Sequence, residues 1–431
     1  MSEKLLKSFQ KAYSNLELSP LLQQNDLDRF RVNFGGEIVE QLEQLVEDSP
    51  NRDGKIVFTG HRGCGKSTLL AEFSRRLADR YFVVFFSISD TIEMSDVNHI
   101  NILFAIAVNL MSEAEANQVK ISKANRKAVY SWFSTKTRIE EEKFEAGLDF
   151  DLFGLLKLIK TKLKADAVVR YEIKQEFERK ITDLVARINE IAALIQNKTK
   201  KEILVIIDDL DKLDLAVVNN IYKDNIKAIC LPNFHIIYTI PIAVLRETVI
   251  KSTIENETND QVVIMPVMKL FDKQQARVTN AQPRSQAADI LCEILKKRIE
   301  PNLIESSTAD KIVLNSGGLL RELIRIAKEC CQICLLNIRR RPADKVIIND
   351  EILEKAIDNI RNDFALPLGK AEYIILQVVY QQFKPADPKE QKFLDLLHGL
   401  YVLEYRNRQN WYDVHPIVVE LLKEEGLIHV S

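Results

Sequence analysis

The sequence predicts an α/β protein with a parallel sheet, helices on both of its faces and further helical segments after it. Three observations carry this. Unbroken aliphatic and aromatic runs recur at 55–59, 81–88, 203–207, 234–241 and 261–267, and runs without alternation are how strands buried on both faces read. Helical patterns separate the runs, as crossover connections between parallel strands require. A glycine-rich turn, Gly60-His61-Arg62-Gly63-Cys64-Gly65-Lys66-Ser67-Thr68, lies between the first run and a helix opening at Leu69.

Length and composition set the bounds. A chain of 431 residues exceeds one ordinary domain, and two or three are expected. Apolar content of 46% with 28% charged residues describes a soluble globular protein with material for a core. The net charge of −2 gives no global pull toward nucleic acid or anionic lipid, so any nucleic-acid contact needs a local patch. The first residues lack the apolar run of a signal peptide, and the stretch from Ile100 to Met111 is too short to span a bilayer. No membrane association is expected. Six cysteines without framework spacing point to a reducing cytoplasm. Cys330, Cys331 and Cys334 sit on one apolar helical run and read as buried thiols rather than a metal cluster.

Taken in order, residues 1–35 form a polar, helix-prone leader, and an amphipathic helix follows over 36–47. The turn at 49–54 delivers the chain into the first strand, 55–59, and the glycine loop follows at once. After the second strand, 81–88, a long helical insertion runs over about 96–200. Within it Ile173, Phe177, Ile181, Leu184, Ile188, Ile191 and Ile195 form a heptad-like seam, expected to pack on its own domain. The polar stretch 134–151 inside the insertion reads as a mobile loop. The third strand, 203–207, ends in Asp208-Asp209, and Asp211 and Asp214 are read as caps of the next helix. A helix over 215–230, a strand over 234–241, a short helix over 243–252 and a strand over 261–267 complete this part. Helices over 285–299, 307–315, 319–337 and 350–362 make an all-helical unit. The tail, 366–431, reads as a winged helix: helices over 370–382 and 389–399, strands over 401–405 and 411–414, and a last helix over 417–425. The expected domains are a leader (1–35), a nucleotide-binding core (36–272), a helical lid (273–365) and the winged-helix tail (366–431).

The chemistry lies at the strand ends. Gly60 to Ser67 fits glycine, four residues, glycine-lysine-serine, the phosphate-binding P-loop. Strand, glycine turn and helix N-terminus aim main-chain N–H groups at an anion. Lys66 is expected to reach the β- and γ-phosphates, and the Ser67 hydroxyl to ligate Mg²⁺. Aliphatic residues ending in two carboxylates form the Walker B pattern, with Asp208 for Mg²⁺ and Asp209 to polarise the attacking water. Thr239, at the tip of the fourth strand, is the candidate γ-phosphate sensor. Gly317-Gly318 followed by Arg321 starts a helix with a cation where an anion is favoured, which suggests that Arg321 reaches a phosphate. The basic triplet Arg339-Arg340-Arg341 reads as a solvated turn.

Gly60–Ser67, Asp208-Asp209, Thr239 and Gly317-Gly318…Arg321, in this order, resemble the AAA-like P-loop ATPases over roughly residues 25–365. Asp208-Asp209-Leu210-Asp211-Lys212-Leu213 looks most like the STAND signal-transduction branch, and the glycine pair with Arg321 looks like the sensor-2 region of origin-recognition ATPases. The resemblance implies a P-loop NTPase sheet in the order 5-1-4-3-2, ATP and Mg²⁺ as cofactors, and an oligomer in which a neighbour's arginine reaches the γ-phosphate. It also implies adenine contact from Arg29, Phe30, Arg31 and Val32. The insertion is long for the family, and Arg246 and Arg298 are the candidates for the inter-subunit arginine. Three functions follow: an ATP-driven switch in bacterial defence or signalling that acts on a protein effector; a DNA-binding loader or transposition regulator using Arg406 and Arg408; and a nucleotide-gated scaffold with little turnover.

Overall fold

The computed structural model of the protein describes residues 2–137, 151–278, 281–340, 345–406 and 410–428. Five strands, β1 (Lys55–Gly60), β2 (Tyr81–Ser87), β3 (Glu202–Asp208), β4 (His235–Pro241) and β5 (Val262–Ile264), form one parallel sheet in the order β2-β3-β4-β1-β5. This is the expected 5-1-4-3-2 order. The register aligns Ser87 with Asp208 across β2 and β3, and Ile207 with Tyr238 across β3 and β4. Non-consecutive neighbours in an all-parallel sheet need crossovers, and the helices between the runs supply them.

The chain divides into two compact units. One comprises Glu37–Thr59 and Leu70–Ile264; the other comprises Met1–Gly36, Gly60–Leu69 and Met265–Ser431.

The first of these holds the sheet. β1, the described core of β3, and β4 are buried throughout, as unbroken aliphatic runs demand. β2 corrects the expectation of burial on both faces. It is the edge strand, and only Phe82 and Val84 along it are buried. β5 is shorter than the apolar run 261–267: it ends at Ile264, two residues before Pro266. The apolar stretch from Ile100 to Met111 lies in the helix His99–Ala116, buried on nearly every side and capped by Asn98, whose side chain accepts the N–H groups of Ile100 and Asn101. Phe104 of that helix meets Trp132, Phe133 and Phe177, an aromatic core private to the insertion.

The heptad-like seam does not lie on one helix. It is divided between Ala167–Phe177 and Ile181–Thr199, and Lys180 leaves helical geometry between them. Its side chains from Ile173 to Ile195 are buried within the unit, apart from the half-buried Ile181. Of the loop expected over 134–151, residues 134–137 end the helix Lys123–Thr137 and Asp151 caps the helix Leu152–Ala165; the rest lies outside the described residues. The helix expected over 215–230 is broken into Leu215–Asn219, a π turn over Asn220–Asp224, and Ile226–Ile229. Asn225 donates its side-chain N–H to Asn220 O, a bond that competes with the helical ladder. Over 243–252 the chain forms a 3-10 turn, Ile242–Arg246, and then the helix Thr248–Glu257.

In the other unit the leader is helical over Ser2–Asn15 and Gln24–Phe30. Phe9 and Ala12 are buried, and Lys328 lies over the Tyr13 ring, so the first helix packs along the helix Leu320–Arg340. That helix buries Cys330, Cys331 and Cys334, and burial raises all three thiols above the ordinary range, Cys334 to about 12. Arg339 and Arg340 close it; Arg341 lies outside the described residues. Helices Ser285–Lys296, Ser306–Asn315 and Asp350–Ala365 surround it. The tail follows in the expected element order: helices Lys370–Gln382 and Gln391–His398, an antiparallel hairpin of β6 (Val402–Arg406) and β7 (Asn410–Val414), and the helix Pro416–Glu424. Among the described residues no helix is long and apolar enough to cross a membrane.

Candidate functional site

The glycine loop leaves β1 at Gly60 and enters the helix Lys66–Leu77, so it ends at a helix N-terminus, where main-chain N–H groups favour an anion. Lys66 is buried, and its Nζ donates to Gly60 O and His61 O at 2.8 Å each. The ammonium is thereby fixed at the loop's entrance by the loop's own carbonyls. Cys64 is buried behind it, with Sγ 4.0 Å from Nζ. The Thr68 hydroxyl accepts the Leu21 N–H at 3.0 Å, tying the leader to the start of the helix.

Gly63 must be glycine. Its φ is +77°, and a Cβ there would lie 2.4 Å from Arg321 Cβ. The close approach is a bond: the Arg321 N–H donates to Gly63 O at 3.0 Å. Gly318 permits a different close approach, since at φ +85° a Cβ would sit 1.8 Å from Met268 O. Gly63 thus lets the helix Leu320–Arg340 start against the glycine loop, with the exposed Arg321 at its N-terminus.

The segment before the loop is also present. A Cβ on Gly65 would meet Phe34 Cζ at 2.9 Å. Arg31 stacks over the Phe34 ring at 4.5 Å and donates to Phe34 O at 2.7 Å. Arg298, a candidate for reaching a neighbouring subunit, is instead buried. It donates to Phe30 O and Ile294 O, and burial lowers its pKa to about 10. Arg246 ends the 3-10 turn after β4.

Asp208, Asp209 and Asp211, in the unit with the sheet, are all buried at the carboxyl end of β3, with carboxylate oxygens within 4.8 Å of one another. Asp214 caps the next helix as expected, accepting the Ala216 N–H, but Asp211 joins the acidic cluster instead. Three clustered carboxylates are hard oxygen donors, the ligand chemistry that suits Mg²⁺.

Asp209 has φ +68°, which swings its side chain toward the end of β2. Ser87 Oγ and Ser89 Oγ donate to its Oδ2 at 2.7 and 2.9 Å, and Lys212 Nζ lies 2.6 Å from Oδ1. Burial alone would raise its pKa; the bonds from Lys212, Ser87 and Ser89 outweigh burial and hold it below the ordinary carboxylate range. Thr239 is fully buried. Its hydroxyl donates to Ile207 O at 3.2 Å and accepts the Leu210 N–H at 3.0 Å, so it staples the tip of β4 to the turn that carries the acids.

Sequence reasoning missed Ser87 and Ser89, which stand at a strand end without a motif; only the β2–β3 register reveals them. It also missed the tail's hold on the loop. Glu404 N–H donates to His61 Nε2 at 2.8 Å, and Arg62 Nη2 lies 2.6 Å from His398 Nε2.

Residues 36–222 match the family model described as AAA ATPase domain. Together with the strand order and the loop, this identifies an AAA-like P-loop ATPase domain in the chain. No curated protein matches the chain. Among solved structures, the Aeropyrum pernix ORC1 protein in complex with DNA is similar at 13% identity, with 96% of this chain and 97% of that chain covered and a TM-score of 0.37. The Thermotoga maritima RuvB Holliday junction branch migration motor is similar at 14% identity, with 94% and 99% covered and a TM-score of 0.37. Drosophila ORC bound to DNA is similar at 12% identity, with 96% and 91% covered and a TM-score of 0.35.

Proposed function

We propose that the protein is an ATP-binding and ATP-hydrolysing molecular switch of the AAA/STAND type, acting in the cytoplasm on assembly or on a protein effector in defence or signalling. The observation that carries this reading is the phosphate loop, with its buried ammonium at a helix N-terminus and Arg321 bonded through its main chain to Gly63. In this reading the main chain of Gly60 to Thr68 receives the phosphates, Lys66 binds their outer oxygens and the Ser67 hydroxyl is a Mg²⁺ ligand; in the other unit, Asp208 is a carboxylate ligand of the kind Mg²⁺ takes. Bound Mg²⁺ would supply neutralisation of the phosphate charge. Asp209 takes a proton from the attacking water once it is released from its serine and lysine partners, and Arg321 senses the nucleotide from the helix start. Thr239 contributes indirectly, by orienting the turn over 208–211. Oligomers form through nucleotide-dependent contacts.

The test is phosphate release by the full chain with and without Mg²⁺, compared with Lys66→Ala. Release by the wild type at least a hundredfold above the variant is expected, and equal release from both would end the reading. Mass measurement with and without ATP tests assembly. A nucleotide-gated scaffold would show one phosphate per subunit and then stop.

A second reading, a DNA-binding ATPase, rests on the helix, helix, hairpin, helix order of residues 370–424, taken as a winged helix. Arg406 of the hairpin is paired with Glu404 at 2.7 Å, and Arg408 lies outside the described residues. A salt-sensitive shift of duplex DNA by the full chain would favour this reading.

A further inference from the structure

We propose that His61 is a positioning residue of the phosphate loop and that the C-terminal hairpin sets its place; this rests on the nucleotide reading above. In the β6–β7 ladder Glu404 faces Tyr412. Both N–H groups of that pair point away from the partner strand. Tyr412 donates to Phe383 O at 2.9 Å, and Glu404 donates to His61 Nε2 at 2.8 Å. The open edge of β6 is thus closed by a side chain from the phosphate loop, 343 positions earlier in the chain. The main-chain oxygen of the same histidine accepts Lys66 Nζ. One buried residue therefore holds the hairpin with its ring and the phosphate-binding ammonium with its carbonyl.

The surrounding bonds form a closed circuit. Gly63 O accepts from Arg321 N–H, Gly317 O accepts from Tyr405 Oη at 2.7 Å, and the next residue back along β6, Glu404, returns to His61. Arg62 adds a second tie, to His398 at the end of the helix Gln391–His398. His61 and Arg62 occupy positions that the glycine-lysine-serine pattern leaves open, and in this chain they engage the tail. Phosphate binding at Lys66 and seating of the hairpin then favour one another, and the coupling acts equally in both directions.

Amide exchange at Glu404 and the affinity for a fluorescent ADP test this in the full chain. In the wild type, nucleotide is expected to slow exchange at Glu404. His61→Ala should weaken nucleotide binding about three- to tenfold, the range one net hydrogen bond allows, with the loss in KM rather than kcat. In that variant Glu404 should exchange as an open strand edge with or without nucleotide. His61→Gln, which places an amide oxygen near the ring nitrogen's position, should recover most of the loss. His398→Ala cuts the second tie without altering the loop and should weaken binding about twofold or more, which covers the case of a misfolded His61 variant. Nucleotide binding by the wild type with Glu404 exchange indifferent to nucleotide and to substitution would overturn the coupling alone. A wild type that binds no nucleotide would overturn both the coupling and the reading beneath it.

Discussion

Asp209 commits both carboxylate oxygens inside the protein, Oδ2 to two serine hydroxyls and Oδ1 to a lysine. A carboxylate so engaged is a weaker base than one turned to water, because its donors stabilise the charged form. If it polarises the attacking water, Asp209→Asn should lower turnover a hundredfold or more, about the range of general-base catalysis, while nucleotide affinity stays within about twofold. Steady-state phosphate release and ADP titration measure the two halves. Ser87→Ala with Ser89→Ala removes two donors to the carboxylate, so its pKa should rise. The acid limb of the pH–rate profile should then move to higher pH; an unmoved limb would separate these serines from the chemistry.

At the scale of elements, two starts carry the site: the helix after the phosphate loop and the helix after Gly317-Gly318. The second depends on backbone space. Gly318→Ala would place a Cβ against Met268 O at a left-handed φ, and a main-chain oxygen cannot swing away as a side chain can. A loss of at least about 2 kcal/mol is expected, read as a lowered midpoint in thermal or urea unfolding. The cap of the helix Asp350–Ala365 is a milder case. Asn349 accepts the Ile352 N–H through its side chain, and Asn349→Ala should cost about 1 kcal/mol.

At the scale of the whole molecule, His415 is one of the groups through which pH acts on stability. The ring is fully buried beside Phe364, Nδ1 accepts the Ile417 N–H, and burial first, with Arg325 second, lowers its pKa to about 3. The folded form therefore binds its proton only near pH 3, whereas the unfolded chain binds it near the ordinary value of about 6.5. This contribution to stability is complete above about pH 6.5 and is lost as pH falls toward 3, at up to roughly 1.4 kcal/mol per unit. His415→Asn keeps an N-capping acceptor without the titration. The slope of unfolding free energy between pH 6 and 4 should be shallower in that variant than in the wild type.

The parts of the site legible in sequence are those whose chemistry is local. Gly60 to Ser67 sets glycine, lysine and serine at the fixed offsets of the P-loop pattern, which neighbouring residues carry by themselves. Asp208 follows from the aliphatic run that buries β3. The broken seam at Lys180 and the early end of β5 were harder to read, since apolar spacing continues across breaks that the backbone imposes.

By itself the sequence determined the sheet strands, the phosphate loop and the acids at the end of β3, because burial pattern and loop composition are properties of neighbouring residues. Only the tertiary structure decided that Ser87 and Ser89 hold Asp209, that Gly63 meets Arg321, and that His61 closes the edge of β6. Those are pairings between distant segments. Their partners are main-chain groups or single hydroxyls, which leave no periodicity or motif in the residues that bear them.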